Sequence, residues 1–460
     1  MFLRIDEHNK DKEALVDNNG VRLTYGQLAD AANSISVIPR SVVFVLCRNT
    51  AGAVAGYIGL INKNAVPVML SSKIKDELLA NLINTYEPAY IYTPTEDAQR
   101  FEGNTDKAFS LFDYTLLKTN NEPYEVNEDL ELCMTTSGST GSPKLVRYKR
   151  GNLEANAKNV AIAFGWTEDE RAICDLGMQY TMGLNVINTH LYTGATVLLT
   201  THNLMSGDFW DYIKAEKGTN FTGVPFSYDI LSRLHVERME LPDLKTFCQG
   251  GGRLADGSFK KFAEFAEATG RRFIASFGTT ETAARMACLP AELATSKTGS
   301  IGYAIPEGEM FIEDGELCYR GPNVTMGYAS SKEDLNRGDD FKGEYHTGDL
   351  AQQDEDGCFY ITGRKSRFLK LLGYRVSLDQ TENLIKEKFG IECGCSGNDH
   401  QMIIYITDGE KKKEVLDYVS GTTGIYRNLF KVTVTPEILR GDSGKIQYKK
   451  MDEIYGGVKQ

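Results

Sequence analysis

At 460 residues the chain is too long for one hydrophobic core, so two or more domains are expected from length alone. A composition of 41% hydrophobic and 25% charged residues is that expected of an ordinary soluble globular protein. The net charge of -12 repels polyphosphate at long range, which argues against nucleic acid as a principal partner and requires any phosphate site to be built locally.

The opening MFLRIDEHNK lacks the basic flank and apolar run of a signal peptide. No later stretch offers the roughly 18 uninterrupted apolar residues of a membrane span, so a cytoplasmic protein is expected. From residue 40 the sequence alternates short apolar runs (VVFVL, VPVML, AYIYT) with helical patterns (AGAVAGYIGLIN, IKDELLANLINTY). That rhythm predicts parallel sheets covered on both faces. Residues 135–144, TTSGSTGSPK, follow the apolar ELCM. Thr136, Ser137, Gly138, Ser139, Thr140 and Gly141 give a backbone able to turn N–H groups inward beside short hydroxyl donors, and Lys144 adds a point charge: a cradle for polyphosphate. A Walker A loop does not fit, because Pro143 precedes Lys144 and Leu145 follows it. The α/β rhythm resumes with NLEANAKNVAIAF as a helix, ATVLLT as a strand, SYDILSRLH as a helix and RRFIAS as a strand. Three adjacent glycines, Gly250, Gly251 and Gly252, are unsuited to a packed element but useful where backbone must approach a planar group.

Near residue 362 the strand-like CFYIT runs into ITGRKSRFLKLLGYR, a glycine-punctuated cationic stretch expected to make a poor core element and to act as a hinge. The chain is therefore expected to divide into a large α/β domain with parallel-rich sheets, residues 1–364, and a small α+β domain, residues 365–460. The latter holds a helix (DQTENLIKEKFG), a strand (QMIIYIT) and a second helix. A ligand is expected between the two. Of nine cysteines, only Cys393 and Cys395 are close enough in sequence to suggest a metal pair, and they lack a second pair at zinc-like spacing.

From RLTYGQLADAAN at 22–33 to GDSGKIQ at 441–447, successive blocks resemble, in order, those of the adenylate-forming enzymes. That family includes acyl-CoA synthetases, firefly luciferase and peptide-synthetase adenylation domains. The resemblance implies ATP-dependent activation of a carboxylic acid to an acyl-adenylate, with Mg2+, and then transfer to a thiol. In SFGTTET, it implies a binding segment of Phe277, Gly278, Thr279 and Thr280: Phe277 stacks on adenine, Thr280 reaches the α-phosphate and Glu281 is a hard oxygen ligand for magnesium. It places the adenine edge at Gly250–Gly252 and the ribose hydroxyls on Asp349 of YHTGDLA, with Arg364 as a second ribose contact. Lys445 matches the lysine that bridges the carboxylate and the α-phosphate, and Gly373 the glycine where a pantetheine arm passes. The hinge position falls on Ser366, where Asp or Lys is usual, and Gln380 and Glu382 stand where two glutamates are common.

The segment DLGMQYTMGLNVINTHLYTGA resembles the family's acyl-pocket helix, with Tyr180 in the gating position. Thr181 stands where enzymes of α-amino acids carry Asp, which argues against such a substrate. Arg285 aligns with an acyl-pocket position, where a buried guanidinium would favour a second carboxylate or a carbonyl-rich tail; the alternative is an arginine paired with a neighbouring acid. The acceptor thiol is expected to be CoA, or else the phosphopantetheine of an acyl carrier protein. A catalytically silent nucleotide-binding relative is the remaining reading.

Overall fold

The computed structural model describes residues 1–460 apart from 136–143, 366, 372–373, 442–444 and 457–460. Two large mixed sheets form the body. In the first, Val42–Cys47 lies between the parallel strands Val66–Ser71 and Tyr90–Pro94, and Leu130–Thr135 runs parallel to Val66–Ser71. Every residue of Val42–Cys47 is buried, the condition of a strand covered on both faces. In the second, Arg171–Cys174, Asn220–Gly223, Thr246–Gln249 and Arg272–Phe277 run parallel in that spatial order. Antiparallel strands close the edges of both sheets.

One apolar core joins the two sheets. It takes Val43 and Val45 from the first, Leu15, Val197 and Leu199 from the second, and Tyr57, Leu184 and Ile187 from the helices Ala51–Asn62 and Thr181–Tyr192 between them. Thr50 caps the first of these helices, its hydroxyl accepting from Ala53 N at 3.4 Å.

An antiparallel sheet of Glu309–Glu313, Glu316–Arg320, Glu344–Gln353 and Phe359–Arg364 follows. Beyond it lies a separate, smaller core. Leu371, Ile385, Ile404 and Val415 pack beneath the helices Leu378–Phe389 and Lys412–Thr423 and the sheet Cys393–Asn398, Gln401–Ile406, Phe430–Val434. The architecture is a large α/β body with parallel-rich sheets plus a small α+β unit.

Two local expectations need correction. The cationic stretch after residue 362 is not a poor core element: Phe368–Leu371 and Tyr374–Ser377 pair as a hairpin whose Leu369 and Leu371 are buried. Its charge is absorbed locally, because Arg367 pairs with Asp379 and Glu382. Besides that pair, the small unit has a three-stranded sheet where sequence suggested one strand. Cys393 and Cys395 are both buried in that sheet, and the Cys393 thiol donates to the Glu382 carbonyl at 3.3 Å. Among the described residues they form no metal-ligand cluster.

Candidate active site

The parallel strands of the second sheet end together, in register at Gly223 with Gln249 and Gln249 with Ala275. The carboxyl ends of such strands are where ligands of α/β folds sit. At one of these ends the chain leaves Phe277 through Gly278, where a Cβ would lie 1.6 Å from the Ala284 carbonyl oxygen. Only glycine passes there. The backbone then doubles back through Thr280–Thr282, with Ala283 and Ala284 in left-handed conformations at φ 54° and 102°. Such conformations cost about 1–3 kcal/mol each in a non-glycine residue and persist where surroundings enforce them. Here Asn323 Nδ2 donates to the Thr282 carbonyl at 2.7 Å and Met286 N to the Phe277 carbonyl at 2.9 Å.

That loop presents Glu281. Its Oε1 accepts from the Tyr328 hydroxyl at 2.7 Å, and the Thr280 carbonyl accepts from the Tyr148 hydroxyl at 2.8 Å. Lys144 Nζ stands 5.6 Å from the centroid of the Tyr328 ring, so one tyrosine joins the end of the serine-glycine segment to the acidic loop. Burial and the charge of Glu281 raise the Tyr328 phenol, keeping it a donor. The Thr279 hydroxyl is turned inward, 3.3 Å from that of Thr282. A single carboxylate plus substrate phosphates is an ordinary environment for Mg2+, so Glu281 fits that ion, which would neutralise phosphate charge when bound.

Asp349 is 3% exposed and lies in register with Arg364, whose Nε donates to Oδ1 at 2.9 Å. Burial raises the Asp349 carboxyl above its ordinary value; the charge of Arg364 opposes the rise without cancelling it.

Lys445 comes to the same place from the small unit. Desolvation of its amine, and then the charge of Arg364, lower its pKa below the ordinary 10.5, while Glu281 and Asp349 act to raise it. One ammonium is therefore within electrostatic range of the acidic loop and of the Asp349–Arg364 pair, although the residue as a whole is exposed. Its segment is tied down on both sides: Gly441 N donates to the Lys445 carbonyl at 2.9 Å, and three residues on, the Tyr448 ring lies 3.7 Å from the Arg367 guanidinium. Arg367 in turn donates to Glu382 Oε1 at 2.6 Å, and the Tyr448 hydroxyl donates to Oε2 of the same carboxylate at 3.1 Å. Catalysis that needs the cationic amine is therefore expected to weaken at unusually low pH for a lysine. In the free enzyme, kcat/KM for ATP should fall as pH rises through a pKa below 10.5. Lys445→Arg should move that limb upward in a pH–rate profile; an unmoved limb would assign it to another group.

The glycine triplet follows the strand Thr246–Gln249. Gly251 has φ +74°, and a Cβ on Gly250 would meet Met182 Cε and Ser276 Oγ, each at 2.7 Å. The triplet thus abuts the start of the helix Thr181–Tyr192, for which Tyr180 is the N-cap residue. Behind Ser276 lies Arg285, 2% exposed. Its guanidinium donates to Asn185 Oδ1, to Ser276 Oγ at 3.4 Å and to Thr222 Oγ1 at 3.4 Å, and stacks 4.9 Å from the Phe164 ring centroid. Among the described residues no carboxylate forms an ion pair with it, and burial lowers its pKa. The expected alternative, an arginine matched by a neighbouring acid, is not what the structure shows.

The structure thus links Lys144 and Glu281 through Tyr328, pairs Asp349 with Arg364, and brings Lys445 within electrostatic range of Glu281, Asp349 and Arg364; Phe277, Gly278, Thr279 and Thr280 lead into the Glu281 loop, Gly250–Gly252 abut the helix that follows Tyr180, and Arg285 is buried behind Ser276. Thr136, Ser137, Gly138, Ser139, Thr140 and Gly141, the hinge residue Ser366 and Gly373 lie outside the described residues. Sequence reasoning missed Tyr148, Asn323, Tyr328, Arg367 and Tyr448, which hold the functional groups rather than resemble any motif. No described helix is long and apolar enough to cross a membrane.

Comparison with known proteins agrees with this fold. A family model described as AMP-binding enzyme matches residues 2–329. The oxalate–CoA ligase of Arabidopsis thaliana is 23% identical over 95% of this chain and 94% of its own length. A 2-succinylbenzoate–CoA ligase of Listeria monocytogenes is 25% identical over 93% of this chain and 92% of its own. Among solved structures, the o-succinylbenzoate CoA synthetase of Bacillus subtilis with its acyl-adenylate intermediate superposes with a TM-score of 0.79, at 21% identity, over 98% of this chain and 97% of that one.

Proposed function

Because the chain belongs to the AMP-binding enzyme family, we propose that it is an AMP-forming acid–CoA ligase whose acid carries a second carboxylate. In the first half-reaction a carboxylate oxygen of the acid attacks the α-phosphorus of ATP, and the bond to the departing pyrophosphate breaks. Lys445 contributes a positive charge where negative charge accumulates on the phosphoryl oxygens and the incoming carboxylate. Asp349 and Arg364 orient the ribose, and Tyr328 holds Glu281 and Lys144 in place. In the second half-reaction the thiolate sulfur attacks the acyl carbon; the bond to the adenylate oxygen breaks and AMP leaves. What supports this reading is the geometry around Glu281, held by the Tyr328 hydroxyl at 2.7 Å, beside the Asp349–Arg364 pair at 2.9 Å, with the Lys445 amine within electrostatic range of both.

The acid's class follows from Arg285. A buried cation without an ionised partner is costly, and an anionic group of the substrate would offset that cost. Two relatives are named for diacids, oxalate and 2-succinylbenzoate, which supports the same choice. The experiment is a panel of mono- and dicarboxylic acids of matched length with ATP, Mg2+ and either CoA or a phosphopantetheinylated carrier protein, read by mass spectrometry. The expected product is a CoA thioester of a diacid; acylation of the carrier alone would assign the other acceptor, and no acyl-adenylate from any acid would make the chain a silent binder. Arg285→Ala is expected to lower the diacid-to-monoacid ratio of kcat/KM at least about tenfold, the scale of a lost charge-assisted hydrogen bond. An unchanged ratio would remove Arg285 from acid selection.

A further inference from the structure

Away from the nucleotide-site candidates, the sheet that carries Asp349 places a thiol, an imidazole and a carboxylate together. Cys318 and His346 are directly opposed across the strands Glu316–Arg320 and Glu344–Gln353, with Sγ 3.3 Å from Nδ1. Glu313 ends the neighbouring strand, and one donor atom each from Glu313, Cys318 and His346 lie within 4.8 Å of one another. All three belong to paired strands, so their spacing is set by backbone register rather than by loop conformation. A tetrahedral zinc ion bound at about 2.3 Å to sulfur and about 2.05 Å to nitrogen separates those two ligands by about 3.6 Å. The observed separation needs little adjustment.

The surroundings also favour a cation. His346 Nε2 faces Glu344 Oε1 at 3.3 Å, an outer carboxylate of the kind that orients metal-binding imidazoles, and Glu316 Oε2 stands 3.9 Å from Nδ1. Glu344 is partnered by Arg320 and Glu316 by Lys365, whereas among the described residues the ion pair of Glu313 is with His346 alone. A mixed sulfur, nitrogen and oxygen donor set suits borderline-soft divalent ions rather than Mg2+ or Ca2+.

We infer that Cys318, His346 and Glu313 form a binding site for one borderline divalent cation of the zinc class, separate from the magnesium that accompanies ATP. The position gives the ion a structural consequence. Glu316 accepts from Gly348 N at 2.7 Å and from Lys365 Nζ at 2.9 Å, so the site adjoins both the Asp349 strand and the residue after Arg364.

The test is a Co2+ titration of the full-length reduced protein, following near-ultraviolet sulfur-to-cobalt charge-transfer absorption. The expected result is a band that saturates at one equivalent and is bleached by Zn2+. Cys318→Ser should lose the band entirely. His346→Ala, a change at a half-exposed side chain that leaves the core intact, should weaken Co2+ binding at least about tenfold with an unchanged melting temperature. Glu281 offers only oxygen and cannot produce the band. Absence of the band in the wild type, its persistence in Cys318→Ser, or unaltered affinity in His346→Ala would each overturn the site.

Discussion

Lys445→Ala is expected to reduce acid-dependent ATP–pyrophosphate exchange by about 100- to 1,000-fold, the scale of removing one preorganised donor from a developing negative charge. Lys445 belongs to the small unit, and its amine lies within electrostatic range of Glu281, Asp349 and Arg364. Thiolysis of a chemically supplied acyl-adenylate needs no stabilisation at the α-phosphorus, so the same variant should retain that half-reaction at close to the wild-type rate. Equal losses in both half-reactions would show a folding or docking defect instead. Unchanged exchange would refute the role altogether.

Gly278→Ala is expected to remove exchange by at least about 100-fold while leaving the sheets intact by circular dichroism. The added carbon would lie 1.6 Å from the Ala284 carbonyl oxygen, a backbone atom with no side-chain freedom to move away. The loop from Thr279 to Ala284 must then shift, and it is the loop that positions Thr280 and Glu281. Misplacing a reacting group by about 1 Å costs roughly 100-fold in rate, while the overpacking itself costs about 1–3 kcal/mol of stability. Full activity in this variant would mean that the geometry of the loop does not matter to the reaction.

The fold was legible in the sequence where burial on both faces leaves continuous apolar runs. VVFVLC reads as a covered parallel strand and is one. The cationic run after residue 362 misled because its charges hide an alternation: Leu369 and Leu371 turn inward while Arg367 is neutralised by Asp379 and Glu382, residues that only the tertiary structure brings near. The strand Cys393–Asn398 was missed because its glycines, serine and asparagine carry little strand preference; its pairing with the apolar Gln401–Ile406 decides the matter.

In the site, the motifs located Glu281, Asp349 and Lys445 as chemical groups but not their supports. Tyr328 meets Glu281 across 47 positions and Tyr148 meets Thr280 across 132, distances at which a single sequence carries no pairing signal. Arg285 shows the same limit. Its guanidinium is shared by Asn185, Thr222 and Ser276, from three different elements, so neither its depth nor its lack of an acidic partner was available from the residues around it.

The central claim, that the acid's own oxygen becomes bonded to the α-phosphorus, can be tested by isotope transfer. The best acid from the panel, labelled with 18O in its carboxylate, is incubated with ATP, Mg2+ and CoA, and the released nucleotide is analysed by mass spectrometry. One 18O atom in the phosphoryl group of AMP is the expected result. Label appearing in inorganic phosphate alongside ADP, or thioester formation with unlabelled AMP, would contradict the account.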